Sequence, residues 1–506
     1  MLAAPLVVIV AAVAVSCSAT PPVNHFGEGG ASSSSGNGVA TSNGGNSSSS
    51  NGSGNGGGIT IGGQDGGITG ECSGLQCSAQ ADNCAGKGKA LTTISGTVYD
   101  PAGALPLYNV YVYIPNSKPD PILAGSPTCT QCEAPASGSP VIGTLTDAKG
   151  HFTLSYAAGD TWGVPSGTNV PLVLQVGKWR RQLTIPTVTA CTANALPDPS
   201  TPASKLRLPA KGSEGDMPLI AFTSGCDPAE CFLRKVGIDD SEFVAPGNTS
   251  GHVVFYTGQD ADSFSADGNA SMVNGGNQWS TTYSWWSKAA NLLKYDIVFN
   301  ACECNDNDRG PGAYAAMDSY LNGGGRVFAT HYYYNWFAPP TGTSDLNGVV
   351  NWALPESSNA PFNNYYIDMT FPKGAAFGTW LQNVGATSTL GEIALADTRW
   401  DMNTINSEST RYIYNADSTS AGSYATMYMS FNTPTAAATA NQCGRAVFSD
   451  VHLSGTSDDS TFPQECANAD PDGSHAVNQT ALEFLFFDLS SCVQNNSMPP
   501  PPPPPT

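Results

Sequence analysis

The sequence predicts a multidomain protein in which a small all-β sandwich is followed by an α/β domain with a parallel sheet, and a disordered linker precedes both. Apolar and polar residues alternate between about residues 91 and 210, with turn residues between the runs, as in short antiparallel strands. From residue 211 onward, short continuous apolar runs alternate with helical segments, as in a parallel sheet covered by helices.

The charge balance excludes one class of protein and the composition indicates a compartment. The 506 residues include 20 Lys and Arg against 41 Asp and Glu, a formal net charge of −21. A nucleic-acid binder needs a basic face that neutralises phosphates, so we expect no nucleic-acid partner. Only 12% of the residues are charged and 14 are cysteines, which is typical of exported proteins with disulfides.

Residues 1–17 have the pattern of a signal peptide that ends in a lipobox. The apolar run at 3–16 is too short to span a bilayer but matches a secretory core. It ends in AVSC, which resembles the bacterial lipobox and implies that Cys17 is lipidated and anchors the chain to the membrane. An ordinary signal peptide cleaved near Ala19 is the alternative. Serine after the cysteine favours the outer membrane.

The segments outside the predicted domains are a linker, a lead-in and a tail. Residues 18–70 are mostly Gly, Ser and Asn, which bury too little apolar surface to offset the entropy of ordering, so we expect a disordered linker. A cysteine-containing lead-in occupies residues 71–90. The Pro-rich tail at 494–506 favours a solvated polyproline II conformation.

The cysteine spacing does not predict a metal site. Cys129 and Cys132 form a C-x-x-C motif, and Cys302 and Cys304 form a C-x-C motif. A zinc site of this kind needs a second pair at a matching spacing, which is missing, so we expect neither a metal nor a cofactor. In an oxidising compartment we expect Cys302 to be oxidised with Cys304 or another cysteine, and therefore not to act as a nucleophile.

Structural disulfides are the expected role of the other cysteines. Cys17 aside, their number is odd, so at least one thiol lacks a partner within the chain. Connectivity does not follow from sequence. The pairs Cys443–Cys466 and Cys129–Cys132 are offered only as suggestions.

The predicted sandwich contains segments that resemble a known module. The segments SGTVYDPAG, NVYVYIP and TLTDAKGHFTL, between Ser95 and Leu154, alternate in the manner of strands joined by tight turns. They resemble the carboxypeptidase regulatory-like (transthyretin-related) domain, which we place at 91–210. The resemblance implies a seven-stranded, non-catalytic spacer or ligand-binding module. An insertion at about 124–140 departs from the pattern.

The second predicted domain, at 211–493, alternates strands with helices and implies β-α-β units. It also contains a large insertion at 332–440, which we expect to be irregular. We predict strands at 217–222, 252–256, 295–301, 326–331 and 445–452, and helices at 229–237, 285–293, 313–321 and 480–489.

Polar residues follow three of these strands and form the candidate catalytic site. Ligands of parallel sheets bind beyond the carboxyl ends of the strands. Glu303, His331, Asp450 and His452 lie at such ends. If the ends adjoin, His331 can act as a base and His452 as an acid or ligand, with Asp450 or Glu303 as the orienting carboxylate.

The same strand ends resemble a known family. YDIVFNACEC, DSYLNGGGRVFATH and CGRAVFSDVHLS are similar to the trehalose-utilisation (ThuA-like) branch of the class I glutamine amidotransferase-like, flavodoxin-like fold. The resemblance matches His331 and His452 to histidines of that family. Amidotransferases carry a cysteine at the elbow after this strand, whereas the elbow here reads ATHY. Glutamine hydrolysis is therefore disfavoured.

Two further motifs have a functional and a structural interpretation. The aromatic residues after His331, of which Tyr333 and Trp336 are the candidate ligand-binding residues, can stack on sugar rings or pack beneath the insertion. The segment from Asn468 to Gln479 opens like a calcium loop but lacks the bidentate glutamate, so we favour a capped loop before the last helix.

These features leave several functions open. The leading hypothesis is an exported, lipid-anchored surface protein with a binding or structural role, a degenerate amidotransferase-like domain and a carbohydrate or protein ligand. The alternative is an exported hydrolase or lyase that acts on a carbohydrate-like substrate through a His and carboxylate site. The alternative requires His331 and His452 to lie within a few ångströms of each other. A purely structural spacer requires no cleft.

Overall fold

The computed structural model describes residues 72–503 except for the gaps at 80–83, 85–86, 133, 157–162, 225–226, 228, 258–270, 273–279, 282–284, 304, 342, 358–363, 420–422, 454–460, 464–469 and 471. The predicted signal peptide with Cys17 and the predicted linker at 18–70 lie outside the described residues. From Ser73 onward the described residues belong to one compact unit. Among the described residues, no helix is long and apolar enough to cross a membrane.

Seven strands form the all-β part of the chain. They are β1 Thr93–Thr97, β2 Tyr111–Pro115, β3 Pro140–Leu145, β4 His151–Leu154, β5 Gly167–Val176, β6 Trp179–Val188 and β7 Ala193–Ala195. They make two sheets, with the orders β4-β1-β7 and β3-β2-β5-β6. Ile94, Val112 and Leu172 from the two sheets share one buried cluster. The alternating pattern of the sequence therefore predicts this part of the fold correctly.

The remaining strands form a large mixed sheet and two small ribbons. They are β8 Ile220–Ser224, β9 Phe243–Val244, β10 Val253–Thr257, β11 Ser271–Met272, β12 Ser280–Thr281, β13 Ile297–Asn300, β14 Arg326–Thr330, β15 Val350–Ser357, β16 Tyr365–Ile367, β17 Glu392–Ile393, β18 Trp400–Ile405, β19 Ser409–Thr419, β20 Ser423–Thr433, β21 Gly444–Ser449 and β22 Thr461–Phe462. The large sheet has the order β12-β10-β8-β13-β14-β21-β20-β19-β16-β17. Its pairs are parallel from β12 to β21 and antiparallel beyond β21. This confirms the predicted α/β class.

Helices cover both faces of the sheet. They are α1 Glu230–Lys235, α2 Ala289–Leu292, α3 Pro311–Asn322, α4 Pro372–Asn383 and α5 Ala476–Ser490, with short 3-10 helices at Gly74–Cys77, Pro202–Ser204, Asp240–Glu242, His331–Trp336, Asn347–Val349 and Thr439–Asn441. Phe232 of α1 and Phe486 of α5 pack on Phe299 of β13. Met317 of α3 shares the other buried cluster with Val298 of β13. Val298 is adjacent to Phe299, and successive side chains of a strand point to opposite faces of the sheet.

The segment at 332–440 is not irregular, contrary to the sequence-based expectation. It contributes α4 and the strands β15–β20, and β16, β17, β19 and β20 extend the main sheet. The runs RYIYNA and YATMYMSF lie in inner strands, where consecutive residues such as Tyr412 and Ile413 are both buried. Because both faces are covered, these strands lack the strict alternation by which antiparallel strands are recognised.

The all-β part and the α/β part share aromatic contacts through the last helix. The Trp179 ring packs edge-on against Phe486 and Phe487 of α5, with centroids 6.3 and 5.9 Å apart. Tyr108 stacks on Phe484 of the same helix at 5.3 Å. Buried aromatic pairs of this kind add to the area they bury, so α5 belongs to the core of both parts.

Disulfides connect the insertion of the all-β part to the end of the chain. Disulfides join Cys84 to Cys191, Cys129 to Cys443 and Cys132 to Cys492. The suggested pairs Cys129–Cys132 and Cys443–Cys466 are therefore wrong. Gln131 pairs with Val493 in a β-bridge, which brings the insertion against the C-terminal segment and separates the two cysteines of the C-x-x-C motif into different bonds.

Candidate functional site

Three neighbouring strands end in the residues that form the candidate site. β13, β14 and β21 lie side by side and run parallel. Cys302 follows β13, His331 follows β14 and His452 follows β21. Because the carboxyl ends of parallel strands meet at one edge of a sheet, the three side chains converge. One sulfur and two ring nitrogens lie within 4.8 Å of one another.

His331 occupies the sharp turn between β14 and the following 3-10 helix. β14 ends at Thr330, one residue before the predicted end, and His331 has a φ of 48°. This left-handed conformation is uncommon for residues other than glycine, although histidine is enriched there. The turn after β14 thus carries a histidine, whose backbone conformation is fixed by the turn.

The His331 ring contacts both other members of the cluster. Its Nδ1 lies 3.1 Å from Cys302 Sγ and 3.5 Å from Nε2 of His452. His331 is 1% exposed and His452 is 7% exposed. Burial, followed by the nearby His452 and Arg399, holds the pKa of His331 well below its ordinary value. The His331 imidazole is therefore neutral at pH 7.

Asp397 orients the second histidine. Its Oδ2 lies 3.0 Å from His452 Nδ1, while Arg399 donates to Asp397 Oδ1 at 2.5 Å. A carboxylate only accepts hydrogen bonds, so we assign the proton of His452 to Nδ1. The Nε2 lone pair then faces His331. Burial raises the pKa of Asp397, but the hydrogen bond from His452 and the nearby His475 ring lower it more, and the carboxylate stays ionised.

His475 and Asp470 extend this network toward the start of α5. His475 Nε2 lies 3.8 Å from Asp397 Oδ2, and His475 Nδ1 lies 3.0 Å from Asp470 Oδ1. Burial lowers the pKa of His475, but the nearby Asp397 carboxylate and the hydrogen bond to Asp470 outweigh it and raise the pKa to about 9. The cationic ring therefore faces Asp397 Oδ2, the same oxygen that lies beside His452 Nδ1. A continuous row of polar groups results, made of Asp470, His475, Asp397, His452, His331 and Cys302.

Glu303 lies at the predicted strand end but does not orient either histidine. Its Oε2 accepts a hydrogen bond from Arg309 Nη2 at 2.8 Å, and its Oε1 accepts one from the Tyr333 hydroxyl at 2.8 Å. The side chains of Glu303 and Arg309 are both 0% exposed. A buried carboxylate requires such a partner, so its charge is balanced within the core beside the site.

Asp450 also serves the scaffold rather than the histidines. Its Oδ2 accepts hydrogen bonds from the backbone N–H groups of Asp401 and Met402, both at 3.0 Å. Burial raises the pKa of Asp450 to about 7. These bonds hold β18 of the insertion, and hence nearby Asp397, next to β21. The sequence thus predicts a carboxylate partner for His452 but selects the wrong one.

Tyr333 and Trp336 are core residues, so the predicted sugar-stacking role is contradicted. Both are 0% exposed. The Trp336 indole donates to Asn300 Oδ1 at 3.1 Å and packs edge-on against Trp286 at 5.1 Å. The Arg309 guanidinium lies 4.9 Å from the Trp336 ring and 4.3 Å from the Tyr333 ring. A sugar ring could not stack on either without displacing these contacts.

Cys302 carries a buried thiol, so the expected disulfide of this cysteine is wrong. Its Sγ lies 3.0 Å from the Glu303 carbonyl oxygen and faces His331. The predicted partner Cys304 lies outside the described residues. Cys302 reaches the sheet edge directly from β13, which turns the sulfur toward the two histidines.

The suggested calcium loop is, where the structure describes it, a turn held by hydrogen bonds within it. Asp470 accepts hydrogen bonds from the backbone N–H and ring Nδ1 of His475, and Asp472 accepts one from the Ser474 N–H. These bonds fix the conformation of the turn that precedes α5. Asn468 lies outside the described residues.

The sequence misses the residues that orient the site. Asp397 and Arg399 lie within the insertion, where no spacing relates them to His452. The turn motif that holds His475 is visible, since acidic residues precede the glycine at 473. Its connection to the site follows only from the packing of α5 beside β21.

Comparisons with known proteins find a structural likeness at low similarity. No family model and no curated protein matches the chain. Its structure is similar to that of a protein described as ThuA-like from Bacteroides uniformis ATCC 8492, with 9% sequence identity and a TM-score of 0.27. The match covers 53% of this chain and 88% of the other.

Proposed function

We propose that the chain is an exported hydrolase or lyase that acts on a carbohydrate-like substrate at the cluster of Cys302, His331 and His452. The observation that carries this proposal is the 3.5 Å separation of His331 Nδ1 and His452 Nε2 at the carboxyl edge of the parallel sheet. The two residues lie 121 positions apart in sequence. Paired imidazoles at this edge are suited to acid–base work on a bound ligand.

The tautomers of the site support reactivity. With its proton directed to Asp397, His452 presents a lone pair at Nε2, and neutral His331 presents Nδ1 at the same point. Such groups can take a proton from a substrate hydroxyl or water, or bind an electrophilic centre. The second ring nitrogen of His331 is buried and has no hydrogen-bond partner among the described residues. A bound ligand would offset that cost.

The remaining parts of the chain fit an anchored, surface-exposed enzyme. We propose that Cys17 carries a lipid, that residues 18–70 act as a tether, and that the outer membrane holds the protein. The seven strands before β8 support a carboxypeptidase regulatory-like module with a spacer or ligand-binding role. The large sheet supports a ThuA-like domain that lacks the amidotransferase cysteine at its elbow.

The test is turnover by the full-length purified protein on a panel of glycosides, sugar lactones, sugar amides and uronic-acid oligosaccharides. We expect activity on at least one class, and a loss of 100-fold or more in kcat/KM for His331→Asn, in line with typical acid–base effects of about 10²–10⁴. Asparagine tolerates the left-handed backbone at this position. His151→Gln, which alters an exposed histidine, is the matched control. Equal rates for the wild type and His331→Asn would contradict the proposal.

A binding role is the second candidate, and one cavity favours it. A cavity of about 390 Å³ lies at the opposite edge of the sheet, where Asp296, Arg326 and Lys178 contribute to its lining. Its size is within the range of small-molecule sites. Panel ligands that bind without turnover, and that bind His331→Asn equally well, would favour this role over the enzyme.

A further inference from the structure

We propose that Cys302, His331 and His452 bind one divalent transition-metal ion of the zinc class. The metal site does not rest on the proposed activity: with an ion bound, His331 Nδ1 and His452 Nε2 are ligands and not acid–base groups, and an ion that only stabilises the fold would satisfy the proposal equally.

The spacing of the donor atoms fits one small ion. Cys302 Sγ and His331 Nδ1 are 3.1 Å apart, and His331 Nδ1 and His452 Nε2 are 3.5 Å apart. A tetrahedral zinc ion with its usual bond lengths places a sulfur and a nitrogen ligand about 3.6 Å apart and two nitrogen ligands about 3.3 Å apart. These two distances lie within about half an ångström of the zinc values, and all three donor atoms lie within 4.8 Å of one another, so rotation of the rings and the thiol can bring them onto one ion.

The donor set selects the class of ion. One thiolate and two imidazoles suit Zn²⁺, Co²⁺, Ni²⁺ or Cu²⁺, whereas Ca²⁺ and Mg²⁺ prefer oxygen ligands. Of the acidic residues nearest in sequence, Glu303 directs its oxygens to Arg309 and Tyr333, and Asp450 Oδ2 accepts from backbone N–H groups. The cluster is therefore a soft, nitrogen- and sulfur-rich site rather than an acidic one.

An outer layer of the kind that accompanies metal-binding histidines is present. The second ring N–H of a zinc-bound histidine commonly donates a hydrogen bond to a carboxylate, which fixes the tautomer. Asp397 Oδ2 lies 3.0 Å from His452 Nδ1, and Asp397 is itself held by Arg399 and His475. The elbow fixes His331 through its backbone. Two of the three ligands are thus oriented before any ion binds.

The chemical state of the cysteine agrees with a metal ligand. Nine described cysteines are disulfide-bonded, whereas Cys302 is a thiol. A chain with many disulfides matures under oxidising conditions, in which ligation of a thiolate protects it. Binding transfers the thiol proton to solvent, so the ion bonds to the sulfur with no change of oxidation state. Three protein ligands leave a fourth position for water or another ligand.

The test uses Zn²⁺ and Co²⁺ with the full-length protein after removal of adventitious metal. We expect one equivalent of Zn²⁺ per chain by elemental analysis. Co²⁺ at the same site gives a thiolate-to-cobalt charge-transfer band and the strong visible bands of a four-coordinate ion. Zn²⁺ added afterwards removes these bands.

Variants separate this site from other donors. Cys302→Ser should abolish the charge-transfer band, and Cys302→Ser and His452→Gln should each weaken Zn²⁺ binding at least 100-fold. His151→Gln should bind as the wild type does. Circular dichroism checks that each variant is folded. If Cys302→Ser does not fold, His331→Asn takes its place in the Zn²⁺ titration.

Two results would overturn the inference. One is a folded wild type that takes up less than a stoichiometric amount of Zn²⁺. The other is Co²⁺ that binds without a charge-transfer band and still binds after Cys302→Ser. That result would place the ion at another cluster, such as Asp470, Asp472 and His475. Failure of the enzyme proposal is distinct, because it appears as metal binding without turnover.

Discussion

Asp397 Oδ2 lies 3.0 Å from Nδ1 of His452, although 55 positions separate the two residues in sequence. The contact exists because the insertion folds β18 beside the end of β21, where Asp450 holds its backbone. It gives His452 a defined tautomer. The insertion is therefore part of the site, and its loss would remove the carboxylate that orients His452.

Replacing Asp397 with asparagine tests this orienting role. Asp397→Asn replaces the carboxylate that accepts the hydrogen bond from His452. We therefore expect the Zn²⁺ affinity to fall about 10–100-fold, as is usual when such an outer carboxylate is mutated. Isothermal titration with Zn²⁺ measures it. Asp368→Asn is the matched control, since Asp368 pairs with Arg411 away from the site. Equal losses in both variants would show that the effect is general.

His475 predicts a pH-dependent contribution to stability. Its pKa is raised to about 9 by Asp397 and Asp470, with Asp227 nearby, against the lowering effect of burial. A raised histidine pKa stabilises the fold fully below about pH 6.5, and this stabilisation is lost as the pH rises through 9. We expect His475→Gln to cost up to about 2 kcal/mol at pH 6, after allowance for solvent screening.

Urea unfolding at pH 6, 7.5 and 9.5 checks the His475 prediction. The difference between the wild type and His475→Gln should shrink across this series. A difference that is constant with pH would mean that packing, rather than the charge of the ring, explains the loss.

The buried acids Asp100 and Glu483 also predict a loss of stability with rising pH, beginning at a lower pH than that of His475. Burial raises the pKa of Asp100 to about 6, and burial together with Asp100 raises that of Glu483 well above its ordinary value. The folded chain therefore holds protons that the unfolded chain releases near pH 4, so stability falls as the pH rises above that value. Glu483→Gln should remove part of this fall and be more stable than the wild type at pH 8 by about 1–2 kcal/mol.

Urea unfolding at pH 5 and pH 8 measures the effect of Glu483→Gln. Glu392→Gln changes an exposed glutamate and should leave both values unchanged. A Glu483→Gln protein that is less stable than the wild type at pH 8 would show that the negative charge is needed where it lies.

The buried ion pair beside the site predicts a large loss of stability. Arg309→Met keeps most of the side-chain volume but leaves Glu303 without its cation, 0% exposed in the core. Breaking a buried pair in this way costs about 3–5 kcal/mol. The exposed pair of Lys211 and Asp239 is the control, and Lys211→Met should cost less than about 1 kcal/mol. Similar losses of unfolding free energy for the two variants would contradict this account.

Lipidation predicts how the full chain partitions. In a bacterial host, the wild type should enter the detergent phase and label with fatty acid at Cys17, and Cys17→Ser should do neither. The outcome that contradicts the anchor is a mature N-terminus after Ala19 in a protein that stays in the aqueous phase.

The sequence predicts elements whose signal is local. The alternation in β1–β7 and the apolar runs of β8, β10, β13, β14 and β21 identify both sheets, and strand ends identify His331 and His452. The partners of these histidines depend on long-range packing. Asp397 lies in an insertion without a recognisable pattern, and Asp450 is nearer in sequence but is used by the backbone of β18.

The predictions of the disulfide partners and of the role of the core aromatic residues fail for a related reason. Cys129 lies three positions from Cys132, yet the insertion that carries both meets two different segments, at Cys443 and Cys492. Tyr333 follows the site histidine closely but turns into the core toward Glu303. Proximity along the chain does not determine direction in space.

The double-mutant cycle of His331 and His452 tests the central claim most directly. If the two imidazoles act as one unit, the kcat/KM of the double variant His331→Asn/His452→Gln on the best panel substrate should lie within about threefold of the weaker single variant. Losses that multiply, or single variants that retain wild-type kcat/KM, would contradict the claim that these strand ends form one site.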